Sequence, residues 1–315
     1  MRVLHNIGLI TVGIITVAGF GASIGFAVSQ NQIAREQTSI NSRIEKYPLI
    51  ARRALIDNPN DAIVNFVPLR KTLDAKFQAI NAPHSFSFEY LPTGTTIREG
   101  DTNELVGASM LKLPVVMDLY KAAELGKLKL DEPVTIEADM LNDQYGNLYL
   151  RGAGAKLTLR QAARIALEDS DNTAILLIQR HIGGLLSTDQ DALSFVDADY
   201  NSQGQSILIN TKSYSSILKC LYFACFNNYD SSQEILSYLS NTNDRSRITA
   251  TIPTSITVAH KFGTNFDTLT DGDCGLFYVP KRPYILCVMV GLPEGKAEKF
   301  ESEVSELVYQ AVIND

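Results

Sequence analysis

Asp273-Cys-Gly-Leu-Phe-Tyr-Val-Pro-Lys-Arg-Pro-Tyr-Ile-Leu286 decides how this chain folds. Two apolar runs, Gly275–Val279 and Tyr284–Gly291, flank Pro280-Lys-Arg-Pro283, and that spacing predicts two strands joined as a hairpin. A third apolar run, Thr257–Phe262, precedes them. Near the other end, Ser85-Phe-Ser-Phe-Glu-Tyr-Leu91 alternates polar and apolar residues, as a half-buried strand does. Pro92-Thr-Gly94 turns the chain into a further strand, Thr95–Glu99.

Between these strand groups the pattern is helical from about 109 to 250, broken by loops near 138–158 and 183–210. A helix of roughly 62–80 carries Ile63, Phe66, Leu69, Leu73 and Phe77 at helical spacing, and Pro68 either kinks it or marks its true start. Lys296 to Ile313 reads as a closing amphipathic helix. Sequential strands tend to share a sheet. The expected architecture is therefore α+β: an antiparallel sheet of about five strands, built from both chain ends and flanked by helices, plus an all-helical lobe. The sheet lobe takes about 61–107 and 251–315, and the helical lobe about 108–250.

The 315 residues give ample length for a core, and a net charge of −7 argues against nucleic-acid binding. No histidine pair at ligand spacing and no Cys-x-x-Cys occurs, so neither a metal nor a cofactor is expected. Cys220, Cys225, Cys274 and Cys287 sit in apolar settings. Cys220 and Cys225 lie on one expected helix, a poor geometry for bonding to each other, so buried free thiols are the default.

After a short tail, 1–6, Ile7–Val28 is an uncharged run of 22 residues, long enough to cross a bilayer as a transmembrane anchor or uncleaved signal. Residues 29–60 read as a stalk and 61–315 as the main domain. Gly25-Phe26-Ala27 leaves cleavage, and so secretion, open. Arg2 precedes the run while Arg35, Arg43 and Lys46 follow it, so positive charge does not orient the segment. An extracytoplasmic placement rests instead on the chemistry that follows.

Ser109-Met-Leu-Lys112 precedes an apolar-periodic run and puts a hydroxyl and an amine on one helix face near a positive helix end. Serine acylation needs a nucleophile, a base and an electropositive floor. The spacing alone is weak, because Ser216-Ile-Leu-Lys219 shares it inside an expected helix. Partners strengthen the first copy. Ser170-Asp-Asn172 stands 58 residues beyond Lys112, and Lys261-Phe-Gly263 stands 89 beyond Asn172. Taken singly, the first partner reads as a helix N-cap and the second as a strand end with an extended lysine.

In this order the motifs resemble those of the class A β-lactamase family and its D-Ala-D-Ala peptidase relatives, over about residues 60–315. Gly183-Gly184 and the hairpin quoted at the outset fit the same family. The resemblance implies an antiparallel sheet with flanking helices and a helical lobe. It makes Ser109 the acylated nucleophile and Lys112 its proton acceptor, with a pKa lowered by partial burial and by nearby Lys261. Ser170 would relay the proton to the leaving nitrogen, Asn172 would hold the substrate amide, and Lys261 would add positive charge for a substrate carboxylate. The N–H groups of Ser109 and Thr264 would form the oxyanion hole, with Gly263 allowing close approach.

Two departures limit the resemblance. Phe262 replaces the family's Thr or Ser, whose hydroxyl helps bind carboxylate; Thr264 is the nearest substitute, and the family's strand arginine has no counterpart near Asp271-Gly-Asp273. The Glu-x-Glu-Leu-Asn loop that activates the deacylating water is also missing; Asp197-Ala-Asp199-Tyr-Asn201 is its nearest echo, which makes Asp197 the candidate base. The expected activity is that of an extracytoplasmic serine hydrolase with slow deacylation, acting on β-lactam or cell-wall peptide. The alternatives are a penicillin-binding D-alanyl-D-alanine carboxypeptidase and a non-catalytic binding module.

Overall fold

The computed structural model describes Ser42 and residues 45–51, 63–183, 191–198, 200–203 and 206–314. The expected anchor, nearly all of the stalk, Gly184 and Asp199 lie outside the described residues. No helix among the described residues is long and apolar enough to cross a membrane.

The first helix, α1, spans Val67–Ala79, with Pro68 in its opening turn. Proline lacks an N–H and fits there, so it starts the helix rather than kinking it. Strands β1 (His84–Tyr90), β2 (Thr95–Glu99) and β3 (Leu105–Val106) follow, then α2 (Lys112–Glu124). Next come β4 (Pro133–Thr135), β5 (Lys156–Thr158), α3 (Leu159–Glu168), α4 (Asn172–Ile182) and α5 (Ala192–Phe195). Then follow β6 (Tyr200–Gln203), β7 (Ser206–Ile209), α6 (Thr211–Phe223) and α7 (Tyr229–Ser240). β8 (Val258–Asn265), β9 (Thr270–Phe277), β10 (Tyr284–Gly291) and α8 (Glu294–Asn314) complete the chain.

The main sheet has five strands in the order β2-β1-β10-β9-β8. Every neighbouring pair is antiparallel, so β8 forms one edge. Leu73 and Phe77 of α1 and Val304 and Val308 of α8 pack with Phe86, Phe88, Leu286 and Val288 in one core. The opposite face is covered too. Ser85, Ser87 and Glu89 are all buried, and the Ser85 and Thr211 hydroxyls meet at 2.8 Å. The alternation in β1 therefore separates an apolar face from a polar face beneath α6, and the half-buried strand is a fully buried one.

The intervening loops contain small strands that periodicity missed: β3-β7-β6 and β4-β5. They are two to four residues long, too short to show a period. The cysteines also depart from expectation. Ala224 is left-handed and ends α6, so Cys225 folds back over Cys220, its N–H donating to the Cys220 carbonyl. The two are disulfide-bonded, as are Cys274 and Cys287, which face each other across β9 and β10. The first pair was hidden because spacing along a helix does not anticipate a chain reversal, and the second because it depends on strand register.

Candidate active site

Ser109 lies in a 3-10 turn, Ala108–Leu111, that runs into α2. Ala108 enters it at φ 44°. A left-handed non-glycine residue costs roughly 1–2 kcal/mol, so the surroundings must hold it. They do so from three sides. Gly107 N–H donates to the Ile207 carbonyl at 2.9 Å, Met110 N–H to the Gly107 carbonyl at 3.0 Å, and the Tyr214 hydroxyl to the Met110 carbonyl at 2.9 Å. The edge strand β8 closes on the turn at Gly263. A Cβ there would stand 2.8 Å from Met110 N and 2.9 Å from Ser109 N. Only glycine lets strand and turn approach this closely.

Lys112, buried at the start of α2, donates from Nζ to the Ser170 carbonyl and to Asn172 Oδ1 at 2.7 Å, and contacts Ser170 Oγ at 3.3 Å. Lys261, on β8, is fully buried and donates to Ser170 Oγ and to the Phe262 carbonyl, both at 2.9 Å. Two amines thus converge on one hydroxyl. Burial lowers the Lys112 pKa to about 7, while the Asp171 charge opposes the shift. The Lys261 amine is pushed well below its usual range, first by burial and then by the charge of Lys112. Burial, not Lys261, is thus what depresses Lys112.

The Ser-Asp-Asn stretch carries both of its sequence readings at once. Asp171 is the N-cap of α4: one oxygen accepts from Ala174 N–H and the other from Leu148 N–H, each at 2.8 Å. Gly146 makes room for it, since a Cβ there would overlap Asp171 Oδ2. Capping by the middle residue fixes its neighbours. Ser170, at φ 55°, and Asn172 are turned toward Lys112. Asn172 also donates to Asn142 Oδ1 at 3.1 Å, which orients its amide.

Ser109, Lys112, Asn172 and Thr264 line a cavity of about 360 Å³. Its remaining wall is mostly apolar, with Leu111, Val115, Ile175 and Ile207. Asp197 does not join this group. It is exposed, left-handed at φ 50°, and follows the short helix α5. The echo of residue pattern offered an acid, yet it is Ile207 of β7 that lines the cavity. The second Ser-x-x-Lys pair is helix surface: Ser216 bonds the Lys212 carbonyl and Lys219 pairs with Glu89.

Thr264 does not offer a free hydroxyl either. It donates to Asp271 at 2.7 Å and accepts from Arg247 at 3.0 Å. Arg247 is the residue that sequence reasoning missed. It is buried, grips Asp271 through two bonds at 2.7 and 3.0 Å, and lies 4.6 Å from the Phe262 ring. Nothing in Asp244-Arg-Ser-Arg247 marks it, because the partner it grips twice, Asp271, comes from β9 and the others from β8 and α8 as well as Asp244. Phe262 is itself buried, with Lys261 Nζ 4.3 Å from its ring and Tyr145 edge-on at 6.1 Å.

The model of the β-lactamase enzyme family matches residues 68–312. The chain belongs to this family. Its fold is also similar to solved structures of family members. PBP-A, as a point mutant in an acyl-enzyme complex with penicillin G, superposes with a TM-score of 0.71 at 21% identity, covering 78% of this chain and 96% of that one. A β-lactamase from Sphaerobacter thermophilus DSM 20745 gives 0.72 at 20% identity, covering 79% and 98%. The class A β-lactamase from Mycobacterium abscessus gives 0.70 at 16%, covering 77% and 98%. At such identities the likeness establishes the fold. No curated protein matches. Among the described residues no group of His, Cys, Asp or Glu could hold a metal ion.

Proposed function

We propose that this β-lactamase-family chain is an extracytoplasmic serine hydrolase that works through an acyl-enzyme on Ser109, with β-lactams and D-Ala-D-Ala-type compounds as substrate classes. One observation carries the reading: Lys112 and Lys261 converge on Ser170 beside a half-buried Ser109 at a cavity mouth. Burial brings the Lys112 pKa down to about 7, so near neutral pH the free amine, the form that can accept the Ser109 proton, is populated. Ser170, held between the two amines, returns a proton to the leaving group. The N–H groups of Ser109 and Thr264 stabilise the oxyanion, and the Asn172 amide holds the acyl side. A structural neighbour captured as an acyl-enzyme with penicillin G supports this chemistry.

Hydrolysis of the adduct is expected to be slow. Efficient deacylation needs a base placed on a water to within about 1 Å. The cavity wall beside Ser109 offers Ile175, Ile207 and Gln179, and among the described residues that line it none is a carboxylate. This favours, as a second reading, a penicillin-binding peptidase that holds its β-lactam adduct. The two disulfides support an oxidising compartment, and Ile7–Val28 would supply the membrane attachment.

Intact-mass measurement after incubation with penicillin, or with a thioester of an N-acyl amino acid, tests the assignment. Wild type gains an acyl adduct and Ser109→Ala gains none. Equal adduct on both would remove Ser109 from its role. Persistence of the penicillin adduct over hours, rather than its loss in seconds, is the expected time course.

A further inference from the structure

The leaving-group side of the site carries an electrostatic signature of its own. Ser170 protonates the departing atom in the reading above, so the leaving group must lie beside Ser170 and the adjoining segment of β8, where Phe262 stands. Two basic side chains, Lys261 and Arg247, flank this place and neither is open to a ligand. Arg247 is 2% exposed. Its guanidinium is engaged by Asp271 and Asp244, with Glu298 at 3.4 Å and Glu294 at 3.7 Å. The Phe262 ring packs against both Arg247 and Lys261, at 4.6 and 4.3 Å. The one nearby hydroxyl on β8, that of Thr264, is committed to Arg247 and Asp271. A carboxylate arriving here meets an aromatic ring, and behind it one arginine among several acids.

Phe262 and Tyr145 also line a second cavity of about 590 Å³, together with Asn147, Arg164, Asp169, Asn243 and Asp244. It is polar, carries both signs of charge, and is larger than the cavity at Ser109.

We propose that the site selects acyl donors whose leaving group bears no carboxylate beside the scissile bond, such as an internal peptide or ester linkage, and disfavours donors that end in a free carboxylate. The inference rests on the acyl-enzyme reading and ranks its substrates: β-lactams and D-Ala-D-Ala compounds, which carry that carboxylate, acylate Ser109 more slowly than donors without it. In the step concerned, the Ser109 Oγ–acyl bond forms as the bond from acyl carbon to leaving group breaks. The Ser109 proton passes to the Lys112 amine, which returns it through the Ser170 hydroxyl to the leaving group, so Ser170 and Lys112 end as they began. Water then cleaves the ester to free acid and regenerates Ser109.

Two thioesters with one common N-acyl-D-alanyl group test this, one releasing thioglycolate and the other thioglycolate methyl ester. Thiol release gives kcat/KM, and intact mass reports acylation of Ser109. Wild type is expected to prefer the neutral donor by about tenfold or more. Phe262→Thr, which uncovers the cations, should shift the ratio toward the anionic donor by about tenfold. Asp244→Asn, which keeps the ring and removes a negative charge from the second cavity, should shift it the same way by a few-fold. Its thermal midpoint and that of Phe262→Thr show whether each remains folded. A wild-type preference for the anionic donor, with Ser109 acylated by both, would overturn the specificity and leave the acyl-enzyme reading standing. So would ratios unchanged in two folded variants. Failure of both donors to acylate Ser109 would overturn the two together.

Discussion

Ser109–Lys112 and Ser216–Lys219 are the same four-residue pattern, and the structure treats them oppositely. The first pair straddles the junction of a strained 3-10 turn and a buried helix. Its lysine is enclosed with a second lysine around Ser170. The second pair lies within α6, where Ser216 bonds its own helix backbone and Lys219 reaches a carboxylate. The difference lies in surroundings. A lysine becomes a base when burial removes its charge, and a serine becomes a nucleophile when its backbone is pinned at a cleft.

Substitution at the two serines sharpens the contrast most. Ser109→Ala should reduce covalent acylation below detection, whereas Ser216→Ala should leave the acylation rate within about twofold, because its hydroxyl serves only a local backbone bond. Progress curves with a chromogenic β-lactam measure both. Comparable losses at the two positions would erase the distinction.

The lysines give the next largest effect. Lys112→Ala should lower the acylation rate by about 10²–10⁴-fold, the usual contribution of a positioned base. In wild type the rate should rise with pH and level off above about 7, since the lowered pKa of Lys112 means its amine is protonated and inactive below that point. A profile whose limb rises only near pH 10 would show that Lys112 keeps its ordinary charge.

Gly263→Ala probes the support of the turn. The added methyl would press on the N–H groups of Ser109 and Met110 at 2.8–2.9 Å. Backbone on both sides leaves little room to yield. A displacement near 1 Å at the nucleophile costs about a hundredfold in rate, and that loss is expected with the protein still folded. Stopped-flow acylation alongside a thermal melt separates rate from stability.

Much of this arrangement was legible in the sequence. Helical and strand periods located the five long strands, the two packing helices and α2, because each repeats over several residues and buries a face. The motif residues Ser109, Lys112, Ser170, Asn172 and Lys261 were legible as types in order, and the fold brings them together. What stayed hidden depends on chain reversals and strand pairings that no local period records. Arg247 has meaning only opposite Asp271, Ile207 only once β7 pairs with β3, and Cys225 only once Ala224 reverses the chain. Asp197 was singled out by an echo of residue pattern, and it is exposed and absent from the lining of the Ser109 cavity.

The smallest effect is expected at the second lysine, where two readouts should part. Glu89 lies beneath α6 with its side chain 9% exposed, and Lys219 covers it while remaining 45% exposed itself. Lys219→Ala leaves that carboxylate without its cation, at a cost of about 1 kcal/mol for a pair that water still reaches. Acylation should not change, since Lys219 neither lines the Ser109 cavity nor contacts Ser170. Stability lost with rate retained would mark Lys219 as structural, whereas Gly263→Ala should lose rate and keep stability. If Lys219→Ala instead slowed acylation more than about twofold, α6 would be coupled to the nucleophile turn, through the bond from Tyr214 to the Met110 carbonyl. The second Ser-x-x-Lys would then act on the first from the far side of the core.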